Sequence, residues 1–417
     1  MDRQTALRRH KWPALASYIA IQSAAELAAQ MLNVAIGWYV YAATHNPMSL
    51  AYVGLAQFAP NAVMLLIAGH AADRFDKRKL IRISLLVQAL CLAAFAAWIT
   101  FARPAMASVY LLLLILGAAR SLSAPAISAL LPQVVSGEDF HRAVAASSTA
   151  FQISSLIGPA IGGVVYAVSG PAMIAVTAAL YLFGFVAARR LPCGSAAASQ
   201  PCTESTEQSV LAGVRYVWSQ RLLLSLVSLD LFAVLLGGVT ALLPIYAKDI
   251  LAVGPAGLGC LRCAPGIGAA VVGLFLAHRT IENNAGKRML LCVAGFGAAT
   301  VVFALSASFW LSLIALIVAG GFDMVSMVIR QALVQLSTPD SMRGRVSAVS
   351  WVFIGASSEL GEFESGATAA LFGTVPAALL GGLGTLAIVA LWSALFPELR
   401  GSRGNRSAPL NEPEVAS

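Results

Sequence analysis

Apolar residues along this chain do not alternate with polar ones; they run together in long blocks separated by short polar breaks. The blocks fall at about 14–43, 50–71, 80–101, 106–131, 142–168, 171–190, 222–250, 255–278, 288–306, 309–336, 345–372 and 375–396. A helix needs ~20 residues to cross a hydrocarbon core of ~30 Å, and each block is near or above that length. Membrane strands would show short alternating segments instead. The pattern therefore predicts an all-α membrane protein with twelve transmembrane helices.

The sharpest break is GHAADRFDKRKL at 69–80, where Asp73, Arg74, Asp76, Lys77, Arg78 and Lys79 interrupt apolar sequence. So dense a charge cluster cannot sit in hydrocarbon, and it predicts a tight turn between two spans. Its cations also orient the chain. Loops rich in Lys and Arg stay on the cytoplasmic side. Arg3, Arg8, Arg9 and Lys11, the cations around 189–221, 279–288 and 343–345, and Arg400, Arg403 and Arg406 fall on the same side as this turn. The opposite loops hold little beyond Arg103 and Lys248. Both termini are accordingly expected in the cytoplasm, with the chain in a bacterial inner membrane.

Between Leu191 and Arg221 the apolar blocks give way to LPCGSAAASQPCTESTEQS, which reads as a linker. From about Ser205, Gln208 at capping-box spacing and apolar Val210, Leu211, Val214, Val217 and Trp218 predict an amphipathic helix lying on the surface. The expected division is a six-helix bundle at 1–190, the linker at 191–221, a second bundle at 222–396 and a cytoplasmic tail at 397–417. The two halves repeat at an offset of about 203 residues. SSLIGPAIGG at 154–163 matches SSELGEFESG at 357–366, aligning Gly158 with Gly361 and Gly163 with Gly366. In that register Gly117 meets Gly320, Arg120 meets Asp323 and Arg142 meets Arg345. Glu26 faces Asp230 one residue out of step. Duplication predicts two pseudo-symmetric bundles.

Composition supports this and narrows the chemistry. Only 11% of the 417 residues are charged and 59% are hydrophobic, with a mean hydropathy of +0.79. The net charge of +8 sits in loops on one side, so it reports membrane orientation and not nucleic-acid binding. Six cysteines give no disulfide framework. Cys260 and Cys263 form a CxxC inside an apolar span, where cysteine behaves as a small hydrophobe. The five histidines are scattered, so no metal site is expected and no cofactor is implied. No phosphate-binding loop and no assembled nucleophile and base argue for an enzyme.

With these residues in view the chain resembles the major facilitator superfamily, and within it the bacterial drug-exporter and enterobactin-exporter-like branch. Gly69 to Lys79 is similar to the family's loop signature G-x-L-A-D-R-x-G-R-R/K, departing at Ala71 and Asp76. Leu116 to Ala124 resembles L-x-x-x-R-x-x-Q-G, keeping Arg120 but with Ser123 and Ala124 in the last places. Gly158 to Gly163 is similar to the fifth-helix G-P-x-x-G-G of exporters. The resemblance covers nearly the whole chain and implies a central cavity with alternating access. Under it Gly69, Asp73, Arg74, Arg78, Gly158, Pro159, Gly162 and Gly163 would form the conformational switch. The glycines also read simply as close-packing positions, and at a seam that rocks the two readings merge.

Charges inside the spans are the candidate chemistry. Each costs roughly 2.5 to 3.5 kcal/mol at mid-helix on insertion scales, so each is expected to line a cavity or meet a partner. The resemblance would bring Glu26, Arg120, Asp230 and Asp323 into one polar layer, with Glu26 as a proton-coupling carboxylate. Glu359 and Glu362, three apart, share a helix face; Glu364 projects elsewhere, and Arg262 is their candidate partner. They read as a transport site, a clamp between helices or an exposed outer mouth. Trp38, Phe232, Tyr246 and Phe322 are candidate substrate-cavity aromatics, with interface anchoring as the competing role.

The expected partners are a small-molecule substrate, protons and the lipid bilayer, without nucleic acid; a monomer is the default. The expected function is proton-antiport export of a siderophore-like molecule or amphiphilic drug. A proton-coupled importer of a small nutrient and a non-transporting receptor on the same frame are the alternatives.

Overall fold

A computed structural model describes residues 3–74, 76–101, 104–135, 139–191, 206–277, 284–339 and 342–401. Among them the regular structure is helical. The first half holds α1 (Arg3–Thr44), α2 (Pro47–Arg74), α3 (Lys77–Phe101), α4 (Met106–Ser128), the short α5 (Leu131–Val134), α6 (Phe140–Val168) and α7 (Gly170–Arg189). After the linker come α8 (Thr206–Ser219), α9 (Arg221–Gly237), the turn α10 (Leu243–Ile245), α11 (Gly254–Leu276), α12 (Ala285–Leu305), α13 (Phe309–Leu336), α14 (Arg343–Phe372), α15 (Thr374–Leu395) and α16 (Pro397–Gly401).

Among the described residues ten segments are long and apolar enough to cross a membrane, against the twelve expected from sequence. The other two expected spans fall on α2 and α14, helices of 28 and 30 residues. Glu359, Glu362 and Glu364 in the body of α14 lower its apolar character. The span over 221–250 is broken: α9 stops at Gly237, short 3-10 and α-helical turns follow, and the span finishes in a π turn at Tyr246–Ile250. Gly237 permits the break because its bare Cα lies against Phe296 and Thr385, where a Cβ would come within 2.6 and 2.9 Å.

The two halves repeat in packing as they do in sequence. In the first, α1 packs on α6 and α7, α2 on α4, and α3 on α4 and α7. In the second, α9 packs on α14 and α15, α11 on α13, and α12 on α13 and α15. The matched glycines occupy matched contacts. A Cβ on Gly117 would touch Pro60 at 3.2 Å, and one on Gly320 would overlap Pro265. Gly158 lies on α1, with a Cβ contact of 2.6 Å to Gln30, and Gly361 lies on α9, 3.1 Å from the Leu235 carbonyl. The duplication is thus written in close helix approach, where small residues permit the spacing.

The halves meet mainly through α6 on α11 and α2 on α14. Gly163 of α6 abuts α11, where a Cβ would lie 2.6 Å from the Pro255 carbonyl and 2.9 Å from the Gly259 Cα. Gly366 of α14 abuts α2, 2.8 Å from the Ala51 nitrogen. At the same end Tyr41 hydrogen-bonds to Asp249, and Lys248 Nζ lies 3.0 Å from His45 Nε2 and 3.4 Å from the Ala42 carbonyl. This far end is clamped. Toward the end carrying α8 the halves part. Gln152 and Thr149, one and two turns before Leu156 on the same face of α6, are exposed. So are Ser358 and Gly355, one and two turns before Glu362 on α14. The apolar core agrees: one cluster runs through both halves by way of far-end residues such as Leu242, Leu258 and Phe303. A separate cluster, including Val217, Leu226, Leu333 and Trp392, fills the linker end of the second half alone. A cleft therefore opens on the α8 end.

The expected amphipathic helix is present as α8, with Val217 2% exposed and Trp218 70% exposed. It lies on α14 through Gly213, whose Cβ would come 2.9 Å from the Arg345 carbonyl. Gly213→Val should lift it from α14 and lower thermal stability by about 1 to 2 kcal/mol, read as a fall in midpoint for the detergent-solubilised protein. Most of the Pro- and Ser-rich linker, residues 192–205, and the tail from 402 lie outside the described residues.

Candidate functional site: charged pairs walling a cleft

Glu26 sits about midway along α1 and is buried. Arg120 reaches it from α4, with Nη2 3.6 Å from Oε2 and the arginine side chain 45% exposed. A half-exposed guanidinium in the body of a span faces water and not lipid, which places it on the cleft wall. Gln30, one turn after Glu26, donates from Nε2 to Oε1 at 2.8 Å and lies 3.5 Å from Ser155 Oγ of α6. One turn the other way, Ser147 Oγ donates to Gln22 Oε1 at 2.6 Å. The helical repeat explains the assembly: Gln22, Glu26 and Gln30 are spaced by four and form one polar stripe on an otherwise apolar helix. That stripe meets Ser147 and Ser155 of α6. Sequence reading singled out Glu26 and Arg120 and missed the stripe, although its i, i+4, i+8 spacing was visible.

The single polar layer expected of Glu26, Arg120, Asp230 and Asp323 is not what forms. Asp230, buried in α9, is salt-bridged to Arg330 of α13. Arg330 lies seven residues beyond Asp323, about 10 Å along the helix, so the second pair is set closer to the linker end. Asp323 is exposed and makes no ion pair among the described residues. Each half thus pairs a carboxylate on its first helix with an arginine on its fourth. The matched register sets Arg120 against Asp323, whereas the arginine that pairs with Asp230 stands seven residues further along α13.

The carboxylates of α14 have a seam location. The Glu362 Cβ is where a Cβ on Gly54 of α2 would make contact, at 3.1 Å. Arg262 of α11 is the opposite charge that acts on Glu362, as the sequence suggested for this cluster. Arg262 also lies against Gly37 of α1, and its buried Nε has no hydrogen-bond partner among the described residues. Glu364 accepts from Thr368 Oγ1 at 2.9 Å. Glu359 lies one turn from Glu362 and is partly buried.

The aromatic expectations need correction. Tyr246 is fully buried and donates to the Ala304 carbonyl at 2.9 Å, so it is core and not cavity lining. Phe232 packs against Trp392 of α15 with tilted rings, centroids 5.3 Å apart, on the side of α9 away from Asp230. Phe322 packs on Gly295 of α12, whose Cβ would meet its ring at 2.8 Å. Trp38 is partly buried against the shared core. Tyr246 alone is thereby removed from the candidate cavity residues; Phe232 and Phe322 keep 36% of their surface exposed.

For the switch residues, Gly158 and Gly162 of α6 face α1 and Gly163 faces α11, while the Pro159 carbonyl lies where a Cβ on Gly259 would fall, at 2.5 Å. Arg78 opens α3, its backbone nitrogen donating to Asp76 Oδ1 at 3.1 Å. The side chains of Asp73 and Arg74 and the surroundings of Gly69 lie outside what is described. Cys263 donates to the Leu156 carbonyl at 2.9 Å and Cys260 is exposed, both as free thiols. No group of ligands able to hold a metal occurs among the described residues.

The chain is 28% identical over 398 residues to the enterobactin exporter EntS of Citrobacter koseri, covering 92% of each protein. It is 29% identical over 385 residues to that of Escherichia coli, covering 89% of this chain and 88% of the relative. Among solved structures it is similar to the nucleoside transporter NupG, with a TM-score of 0.74 at 15% identity over 92% of this chain and 99% of that one. A bacterial homologue of the human lysosomal transporter Spinster gives 0.72 at 11% identity over 94% and 99%. These likenesses show the major facilitator fold. The family described as transmembrane secretion effector matches residues 11–417. A multi-pass helical body, charges walling a cleft and that match lead to one conclusion: this chain belongs to the transmembrane secretion effector family of major facilitator membrane transporters, and it is not an enzyme.

Proposed function

We propose that the protein exports a siderophore-like molecule from the cytoplasm by proton antiport. The units 1–190 and 222–396 rock about the far-end seam, in a bacterial inner membrane with both termini cytoplasmic. The observation that carries the coupling is the Glu26 carboxylate, buried between Arg120 and Gln30 at the wall of the cleft. Ionised, Glu26 is held by Arg120. Protonated, it releases the guanidinium, and the pair then presents a free cation to the cleft in place of a neutral pair. A cargo whose hydroxyls donate to the ionised carboxylate is disfavoured both by the proton and by the cation it frees, so proton and cargo exclude one another, which is the logic of antiport. The likeness to enterobactin exporters supports the direction and the cargo class.

The test is enterobactin movement in everted membrane vesicles with an imposed proton gradient. Accumulation driven by an acidic interior, abolished by a protonophore, is the expected result. Gradient-driven movement the other way would mean import, and none at all would set this cargo aside.

A further inference from the structure

Two carboxylate–arginine pairs of this protein are closed, Glu26 on Arg120 and Asp230 on Arg330. A third set of charges is not. Arg262 of α11 and Glu362 of α14 act on one another electrostatically, yet among the described residues neither makes an ion pair or a hydrogen bond. Both stand where the cleft ends against the far seam. The Arg262 Nη2 lies 3.7 Å from where a Cβ on Gly37 of α1 would fall, and the Glu362 Cβ meets α2 in the same way at Gly54, at 3.1 Å. Gly37 is eleven residues beyond Glu26, about 16 Å along α1, so these charges are separate from the Glu26 pair. Arg262 is eight residues into α11, about 12 Å from its far end, and Glu362 is ten residues from the end of α14, about 15 Å. At that depth both side chains remain partly exposed, and since each faces a helix of the first half and not lipid, the exposed part opens on the cleft. A clamp between helices would close such a pair, because an unmatched charge inside a span is costly. Held apart, the two charges bracket a gap.

We infer that this gap binds the zwitterionic head of an amino acid, its carboxylate on Arg262 and its ammonium on Glu362. An acid alone fits poorly: Glu359 stands one turn from Glu362, so the end of the cleft holds two carboxylates to one guanidinium. An amine alone would leave the arginine, whose buried Nε already lacks a partner among the described residues, with nothing to donate to. A molecule carrying both groups answers both charges and brings no net charge into the span. The guanidinium also presents its donors as a planar fork, which takes both oxygens of a carboxylate at once. As a binding site the gap stands by itself; as a holding point for one end of an exported molecule it rests on the export reading above.

The test uses the full chain in lipid nanodiscs with L-alanine as probe, followed by saturation-transfer NMR and titration. The expected result is saturable binding, weakened at least tenfold by Arg262→Met and by Glu362→Gln singly. Propionate and ethylamine, which carry one charge each, should not displace the probe at equal concentration. Arg262→Met removes an unmatched charge and should not lower the melting midpoint; were it to fail in folding, the near-isosteric Glu362→Gln and the two competitors still decide. Leu291→Ala, on the outer surface of α12, should leave binding intact. Absence of L-alanine binding to the unmodified chain, equal binding by Glu362→Gln, or displacement by propionate alone overturns the inference. If L-alanine binds as stated but enterobactin is not moved in vesicles, the site survives and only the cargo reading fails.

Discussion

Glu26→Gln is expected to abolish gradient-driven export while leaving the protein folded and its cargo binding largely intact. Glutamine keeps the shape and can still accept from Gln30 Nε2, now at 2.8 Å from Glu26 Oε1. It cannot lose or gain a proton, and it cannot hold Arg120 as an ion pair. The two protonation states that make the cleft differ between half-cycles collapse into one. A ligand with equal affinity for both states shifts nothing, so a proton gradient acting on the neutral variant has no purchase on the equilibrium. Uphill accumulation should fall by about two orders of magnitude, whereas downhill exchange of labelled for unlabelled cargo should persist. Measuring both in the same vesicles separates coupling from damage. Full proton-driven accumulation by the variant would remove Glu26 from the proposal. Loss of exchange together with accumulation would make the pair a structural element. Arg120→Met removes the cation from the same pair and should likewise abolish uphill accumulation.

The long apolar blocks made the helical architecture legible, because hydrocarbon thickness fixes span length regardless of packing detail. The repeat was legible for a different reason. Glycines at close helix contacts leave little or no room for a Cβ, and Gly158 with Gly361, and Gly117 with Gly320, stand at matched positions in the two halves. Arg330 shows the limit. A salt bridge between long side chains can be remade from another turn of the same helix, and the aligned position, Asp323, proved exposed and outside the pair. Aromatic roles were the least readable. In a membrane helix both the lipid-facing and the core-facing sides are apolar, so nothing in the period told Tyr246, buried on Ala304, from Phe322, laid over Gly295. The polar stripe Gln22, Glu26 and Gln30 stood in plain sight, but only its charged member invited attention.

Gly163→Val should hold the two halves apart at the far end. In the present arrangement a Cβ at 163 would fall 2.6 Å from the Pro255 carbonyl and 2.9 Å from the Gly259 Cα. Both are backbone atoms of α11 and cannot swing aside as a side-chain tip can. Relief requires α6 and α11 to separate, at a cost of about 1 to 3 kcal/mol in the closed state and little in a state where they are already apart. Moving a two-state equilibrium from 1:99 to 99:1 takes about 5.5 kcal/mol, so one valine should bias the protein and the pair Gly163→Val with Gly366→Val should nearly lock it. Gly366 makes the equivalent contact on α2, 2.8 Å from the Ala51 nitrogen. The measurement is the reactivity of a cysteine placed at Ala51, beneath the seam, toward an impermeant maleimide. Reactivity should rise several-fold with Gly163→Val and further with a bulky change at the partner seam, while transport falls in the same order. A loss of folded protein in place of a gain in labelling would mean that these glycines serve assembly alone. Gly117→Ala is the companion control, because it crowds Pro60 within one half at 3.2 Å and should cost stability without opening the far end.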